Sequence, residues 1–129
     1  MKKQTTRLIA RWLPALFLAA IPHMVFAADF EPLIGQWQRP DGGYVIEIRS
    51  IAPSGDIAAA YFNPRPINVS QAQASMQENH IMIEIELRDV GYPGSKYTLV
   101  YDPSKDRLIG FYYHAVSGQN FGVVFVRMR

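Results

Sequence analysis

The sequence predicts an all-β fold, an antiparallel up-and-down barrel of about eight strands, with an open β-sandwich as the alternative. Short alternating or β-branched apolar stretches recur at even spacing from Tyr44 to Met128, each bounded by a turn signal, with no convincing helix between them. Gly35 and Trp37 open this series, and Arg127 lies on the stretch that closes it. A glycine gives the chain room to cross the end of a barrel, and an indole plugs that end with a large apolar plate. An arginine from the last strand lies over the plate and keeps donors for loop carbonyls.

The first 27 residues stand apart. Lys2, Lys3, Arg7 and Arg11 precede an apolar run from Trp12 to Ile21, and Val25-Phe26-Ala27 fits a signal-peptidase cut after Ala27. The run is shorter than the roughly 20 residues of a membrane span. A removed secretory signal (1–27) is expected, followed by a single domain (28–129) with no stable membrane anchor and a periplasmic or secreted address. Of 129 residues this leaves 102, enough for a core of their own. All 11 acidic residues but only 9 of the 13 basic ones follow Ala27, so 9 minus 11 gives the domain a net charge of −2. That removes the support for nucleic acid as a partner. The absence of cysteine excludes disulfides, thiol catalysis, thiolate metal sites and a lipid-modified N-terminal cysteine.

Within the domain, the Trp37 segment is the first strand, and Asp41-Gly42-Gly43 turns into a second from Tyr44 to Ile51. There Ile46 and Ile48 share one face, Glu47 and Arg49 the other. Pro53-Ser54-Gly55-Asp56 turns into Ile57–Phe62, whose Ala58 to Ala60 make a thin place in the wall. Asn63-Pro64-Arg65-Pro66 cannot donate at either proline and forms a corner, an edge or a loop. From Ile67 to Met76 the alternation sets Ile67, Val69, Gln71 and Gln73 against Asn68, Ser70, Ala72 and Ala74. A strand keeps the turn spacing regular here, while Ser70 to Gln77 also suits a short helix. His80 to Arg88 is the cleanest strand, with Ile81, Ile83, Ile85 and Leu87 inward and Met82, Glu84, Glu86 and Arg88 outward. Lys96–Tyr101, Arg107–Ala115 and Phe121–Met128 complete the series.

With Gly35, Trp37, a meander of strands and Arg127 on the last, the chain resembles the calycin group of lipocalin-like barrels. That resemblance implies an up-and-down barrel closed by these three residues, without the helix that follows the barrel in larger lipocalins. The runs Gln36 to Gly43, Tyr61 to Pro66 and Leu87 to Gly94 also resemble a group of small exported proteins of Gram-negative bacteria. This second resemblance implies a periplasmic address.

No catalytic constellation is expected. Neither Gly-x-Ser-x-Gly nor Ser-x-x-Lys occurs, and Ser117 reads as a turn residue. His80 and His114 lack metal-ligand spacing, so neither a metal nor a cofactor is expected. Glu84 and Glu86 share a solvent face. Aromatic rings are the remaining resource: if Leu108 and Gly110 face inward, Tyr112 and His114 do as well, beside Gln71 and Gln73. Arg65, Gln71, Tyr112 and His114 are therefore the expected ligand-binding residues, near a mouth that accepts a small apolar or amphipathic molecule. Outward rings and the rigid 63–66 and 92–94 loops suit the rival, a periplasmic protein partner. A filled interior is the alternative to a ligand cavity, since eight strands enclose only enough space for side chains.

Overall fold

Side chains alternate across a strand, so a segment with one apolar face buries that face and leaves the other wet. The computed structural model describes residues 28–129 together with 2, 3, 11, 12 and 14–22, and among these it contains nine strands. They are β1 (Gly35–Gln38), β2 (Val45–Ile51), β3 (Ile57–Phe62), β4 (Pro66–Ile67), β5 (Val69–Gln77), β6 (His80–Leu87), β7 (Lys96–Asp102), β8 (Arg107–His114) and β9 (Gln119–Arg127). The ninth, beyond the eight expected, is the two-residue β4, which Asn68 separates from β5. A single 3₁₀ turn, Glu31–Leu33, leads into β1. The expected cleavage triplet Val25-Phe26-Ala27 lies outside the described residues, among which no helix is long and apolar enough to cross a membrane.

All strands join one antiparallel sheet in the order β4-β3-β2-β1-β9-β8-β7-β6-β5. The sheet is a nearly closed barrel. Its edges meet where Asp56 bridges Gln73, the Ala74 amide donates to the Gly55 carbonyl at 2.8 Å, and the Gln73 side chain donates to the Ser54 carbonyl at 3.0 Å. Gly55 sits at φ +94°, and a Cβ there would overlap the Ala74 carbonyl, so the closing contact depends on glycine.

Segment 70–77 is strand rather than helix, but its alternation breaks. Val69 pairs with Leu87 and Gln71 with Glu86, so Ser70 is an extra residue, a β-bulge. Val69 therefore packs on the core, and beyond the bulge Ala72 and Ala74 are the buried residues. Gln71 and Gln73 lie instead on the outer face beside Glu84, Glu86 and Lys96. The interior position expected for Gln71 is thus overturned by one inserted residue, which moves every later side chain to the opposite face.

The inner face elsewhere follows the pattern, with Ile46, Ile48, Ile83, Ile85, Leu87, Leu99, Leu108 and Val123 in one cluster. Aromatic rings fill the middle. Tyr97 lies 5.5 Å from Tyr61, 4.6 Å from Tyr112 and 5.2 Å edge-on from Phe125, centroid to centroid. Such separations are those of favourable ring pairs, and they occupy the space an open calyx would use.

Candidate functional site

The two ends of the barrel differ in chemistry. At one end β9 returns beside β1, with Arg127 opposite Trp37 in register. The Arg127 guanidinium stacks 4.3 Å from the indole. Each of its nitrogens donates: Nε to Asp106 at 2.8 Å, Nη1 to the Ile34 carbonyl at 2.8 Å, and Nη2 to Asp106 at 3.0 Å and to the Pro32 carbonyl. Trp37 is fully buried and its Nε1 donates to the Leu33 carbonyl at 2.9 Å. Tyr101 meets the indole edge-on and donates to Asp106 at 3.0 Å. Gly35 has φ +138° and a Cβ there would stand 2.9 Å from Arg127 Nη1, so any side chain would press on the stacked guanidinium. Hydrogen bonding to Arg127 holds the Asp106 carboxyl below the usual carboxylate range, and the same contact raises the arginine.

The other end is open, with a recess of 310 Å³ lined by Arg39, Tyr44, Tyr61, Asn63, Gly91, Tyr92, Tyr112 and His114. Arg39 follows the end of β1 and stacks 4.3 Å from the Tyr44 ring. Its Nε and Nη2 grip Asp41 at 2.9 and 2.6 Å, and its Nη1 reaches the Tyr97 hydroxyl at 3.4 Å. The Asp41 contact, opposed by burial, raises the pKa of Arg39 and keeps it cationic. Tyr61 and Tyr97 share a hydroxyl hydrogen bond of 2.8 Å. Tyr92 is presented by the β6–β7 loop, which is braced by the bonds from the Tyr92 amide to the Asp89 carbonyl (2.9 Å) and from the Gly94 amide to the Leu87 carbonyl (3.1 Å). Asn63, on the β3–β4 turn, donates through Nδ2 to the Tyr92 hydroxyl at 2.6 Å. His114 ends β8 with its Nδ1 2.7 Å from the Ser117 hydroxyl and its ring 6.1 Å from that of Tyr112.

Tyr112 carries the unusual feature of this end. Only 9% of its surface is exposed, yet among the described residues its hydroxyl makes no hydrogen bond of good geometry. Burial raises its pKa, and the Ser95 hydroxyl, its polar neighbour, draws it partly back down. Ser95, fully buried nearby, accepts the Ala115 amide at 3.1 Å. A buried hydroxyl without a well-made bond costs on the order of 1 to 3 kcal/mol, which singles this position out within the recess. Burial raises the pKa values of Tyr61, Tyr97 and Tyr112, which therefore stay protonated donors at neutral pH.

Of the four expected ligand-binding residues, the structure brings Tyr112 and His114 together in this recess. Gln71 is on the outer face, as described above. Arg65 is exposed on the same turn as Asn63 but does not line the recess, where Arg39 supplies the guanidinium instead. Arg39, Tyr44, Tyr61, Asn63 and Tyr92 are additional. Four of them fall within the runs 36–43, 61–66 and 87–94, three stretches distant in sequence that meet here. Among the described residues no group of three or more His, Asp or Glu side chains is placed to hold a metal ion. No protein family, curated protein or solved structure matches this chain.

Proposed function

We propose that this chain is a non-enzymatic periplasmic or secreted binding protein for a small amphipathic molecule, built on a calycin-like barrel and working at its mouth. The observation that carries this reading is the 310 Å³ recess, in which tyrosine rings form the walls and a buried Tyr112 hydroxyl makes no hydrogen bond of good geometry among the described residues. Concave sites with mostly aromatic walls and a few convergent polar groups suit small organic ligands. Because stacked rings fill the barrel axis, the ligand seats in the mouth and does not thread the interior. The paired, stacked Trp37–Arg127 end gives the rigid frame against which such a mouth is held.

Thermal-shift and native mass-spectrometric screening against envelope lipids and aromatic metabolites tests the reading. A binder is expected to raise the unfolding temperature and to lose that effect in Tyr112→Ala. A panel with no bound species and no shift would contradict it.

A second reading, a module for a periplasmic protein partner, is favoured by one observation on the outer wall. Met82, Val100, Ile109 and Val124 are aligned across β6 to β9 by register, and with Phe111 beside Gly122 they line an apolar groove of 650 Å³. Aromatic and aliphatic anchors of this kind make interface hot spots. Retention of a specific periplasmic protein by the wild type, lost on Phe111→Ser and kept on Tyr112→Phe, would favour it over the ligand carrier.

A further inference from the structure

Hydrogen-bond accounting at the mouth narrows the chemistry of what it binds. Arginine only donates, so the Tyr97 oxygen accepts from Arg39. The Tyr61–Tyr97 bond uses one of the two phenolic hydrogens, whichever way it runs, and leaves the other without an acceptor. The Tyr92 oxygen accepts from Asn63, and its own hydrogen is given to no group among the described residues. The Tyr112 hydroxyl makes no hydrogen bond of good geometry among the described residues, with the Ser95 hydroxyl as its polar neighbour. Tyr61, Tyr92 and Tyr112 thus line one recess with Tyr97 buried behind Tyr61, and the formal charge beside them is the Arg39 cation, whose partner Asp41 lies outward with 63% of its side chain exposed.

A site so rich in donors discriminates by what it lacks. A ligand that presents its own N–H or O–H groups meets donors with donors, whereas an oxyanion accepts several hydrogens at once, and charge-assisted bonds are roughly twice as strong as neutral ones. The walls define the rest of the molecule, since Tyr44, Tyr61 and Tyr112 offer ring faces and edges and 310 Å³ admits a body of about one ring with its substituents. Resting on the binding function proposed above, we infer that the mouth takes a small ring-bearing carboxylate, its oxygens directed at the Tyr92 and Tyr112 hydroxyls, with the buried Tyr61–Tyr97 pair behind them. Arg39 contributes the field, and the rings contribute stacking.

Benzoate and benzyl alcohol, matched in ring and differing in head group, test this by NMR titration of the purified protein. Benzoate is expected to bind about tenfold more tightly, with shifts concentrated on Tyr92, Tyr112 and His114. Tyr112→Phe keeps the ring and is expected to erase most of that preference, while Tyr113→Phe, on the outer wall, leaves it intact. Unfolding midpoints no lower than that of the wild type for both variants show that the fold is not at issue. Equal affinity for the two probes, or a benzoate preference that survives Tyr112→Phe, would overturn the carboxylate assignment while leaving a ring-binding mouth in place. No shift at the mouth by either probe into the millimolar range would overturn the carboxylate assignment and the binding reading together.

Discussion

The closed end and the open mouth of this barrel use the same residue types to opposite effect. Each end has an arginine stacked on an aromatic ring at 4.3 Å and held by an aspartate, Arg127 on Trp37 with Asp106, Arg39 on Tyr44 with Asp41. At the closed end the arginine also binds two backbone carbonyls contributed from more than ninety residues away, and the indole nitrogen is paired. At the mouth the arginine leads into a chain of phenols and a Tyr112 hydroxyl that makes no hydrogen bond of good geometry among the described residues. Satisfied groups stabilise, and unsatisfied ones wait for a partner. The difference is the ground on which we propose stability for one end and recognition for the other.

Four substitutions or titrations sharpen that contrast. The largest effect is expected for Trp37→Ala, which removes a fully buried indole and is worth about 3 to 5 kcal/mol, against less than about 1 kcal/mol for His114→Ala at the mouth. Equal chemical-denaturation midpoints would mean that Trp37 does not plug the barrel. Next comes Arg127→Lys, expected to cost about 2 kcal/mol because lysine keeps the charge but loses the flat, forked donor. Arg129→Lys, exposed at the terminus, should be neutral, and matched denaturation curves for the two lysine variants would remove the closing contact from this account.

A smaller effect is expected in acid. Asp106 has its folded pKa depressed by Arg127, so its contribution is present above the unfolded carboxylate pKa and is lost as pH falls through the folded value. More than a third of the Asp106 side chain is exposed, and solvent screening keeps the contribution below about 1 kcal/mol. Stability of wild type and Asp106→Asn should differ at neutral pH and converge in strong acid. Curves that stay parallel throughout would show the pair to be energetically silent. The smallest change is expected for Tyr112→Phe, neutral or stabilising by up to about 1 kcal/mol, since it removes a buried hydroxyl without a partner. A destabilised Tyr112→Phe protein would reveal a structural role for that oxygen.

Trp37 and Arg127 could be paired from the sequence because a meander returns its last strand to its first, and both residues sit at strand positions whose facing is set by alternation. Asp106 gave no such signal, since it reaches Arg127 from a turn where it adopts φ +47°. The inward ranks of β6 and β8 were legible for the same reason as Trp37, which is why alternation places Tyr112 and His114 on the inner side. Gln71 was misplaced because alternation carries no mark of a bulge: Ser70 fits a regular strand as well as an inserted residue. Arg39, Asn63 and Tyr92 stand on turns, where period two ends and side-chain direction depends on loop bonds that only the folded chain reveals.

The division of labour between the two ends is tested most directly by measuring stability and benzoate affinity together on Arg127→Lys and Tyr112→Phe. The account predicts that Arg127→Lys lowers the denaturation midpoint and leaves benzoate affinity unchanged in the protein that remains folded, and that Tyr112→Phe does the reverse. Variants that lose stability and affinity in parallel would contradict it, because the two ends would then act as one unit.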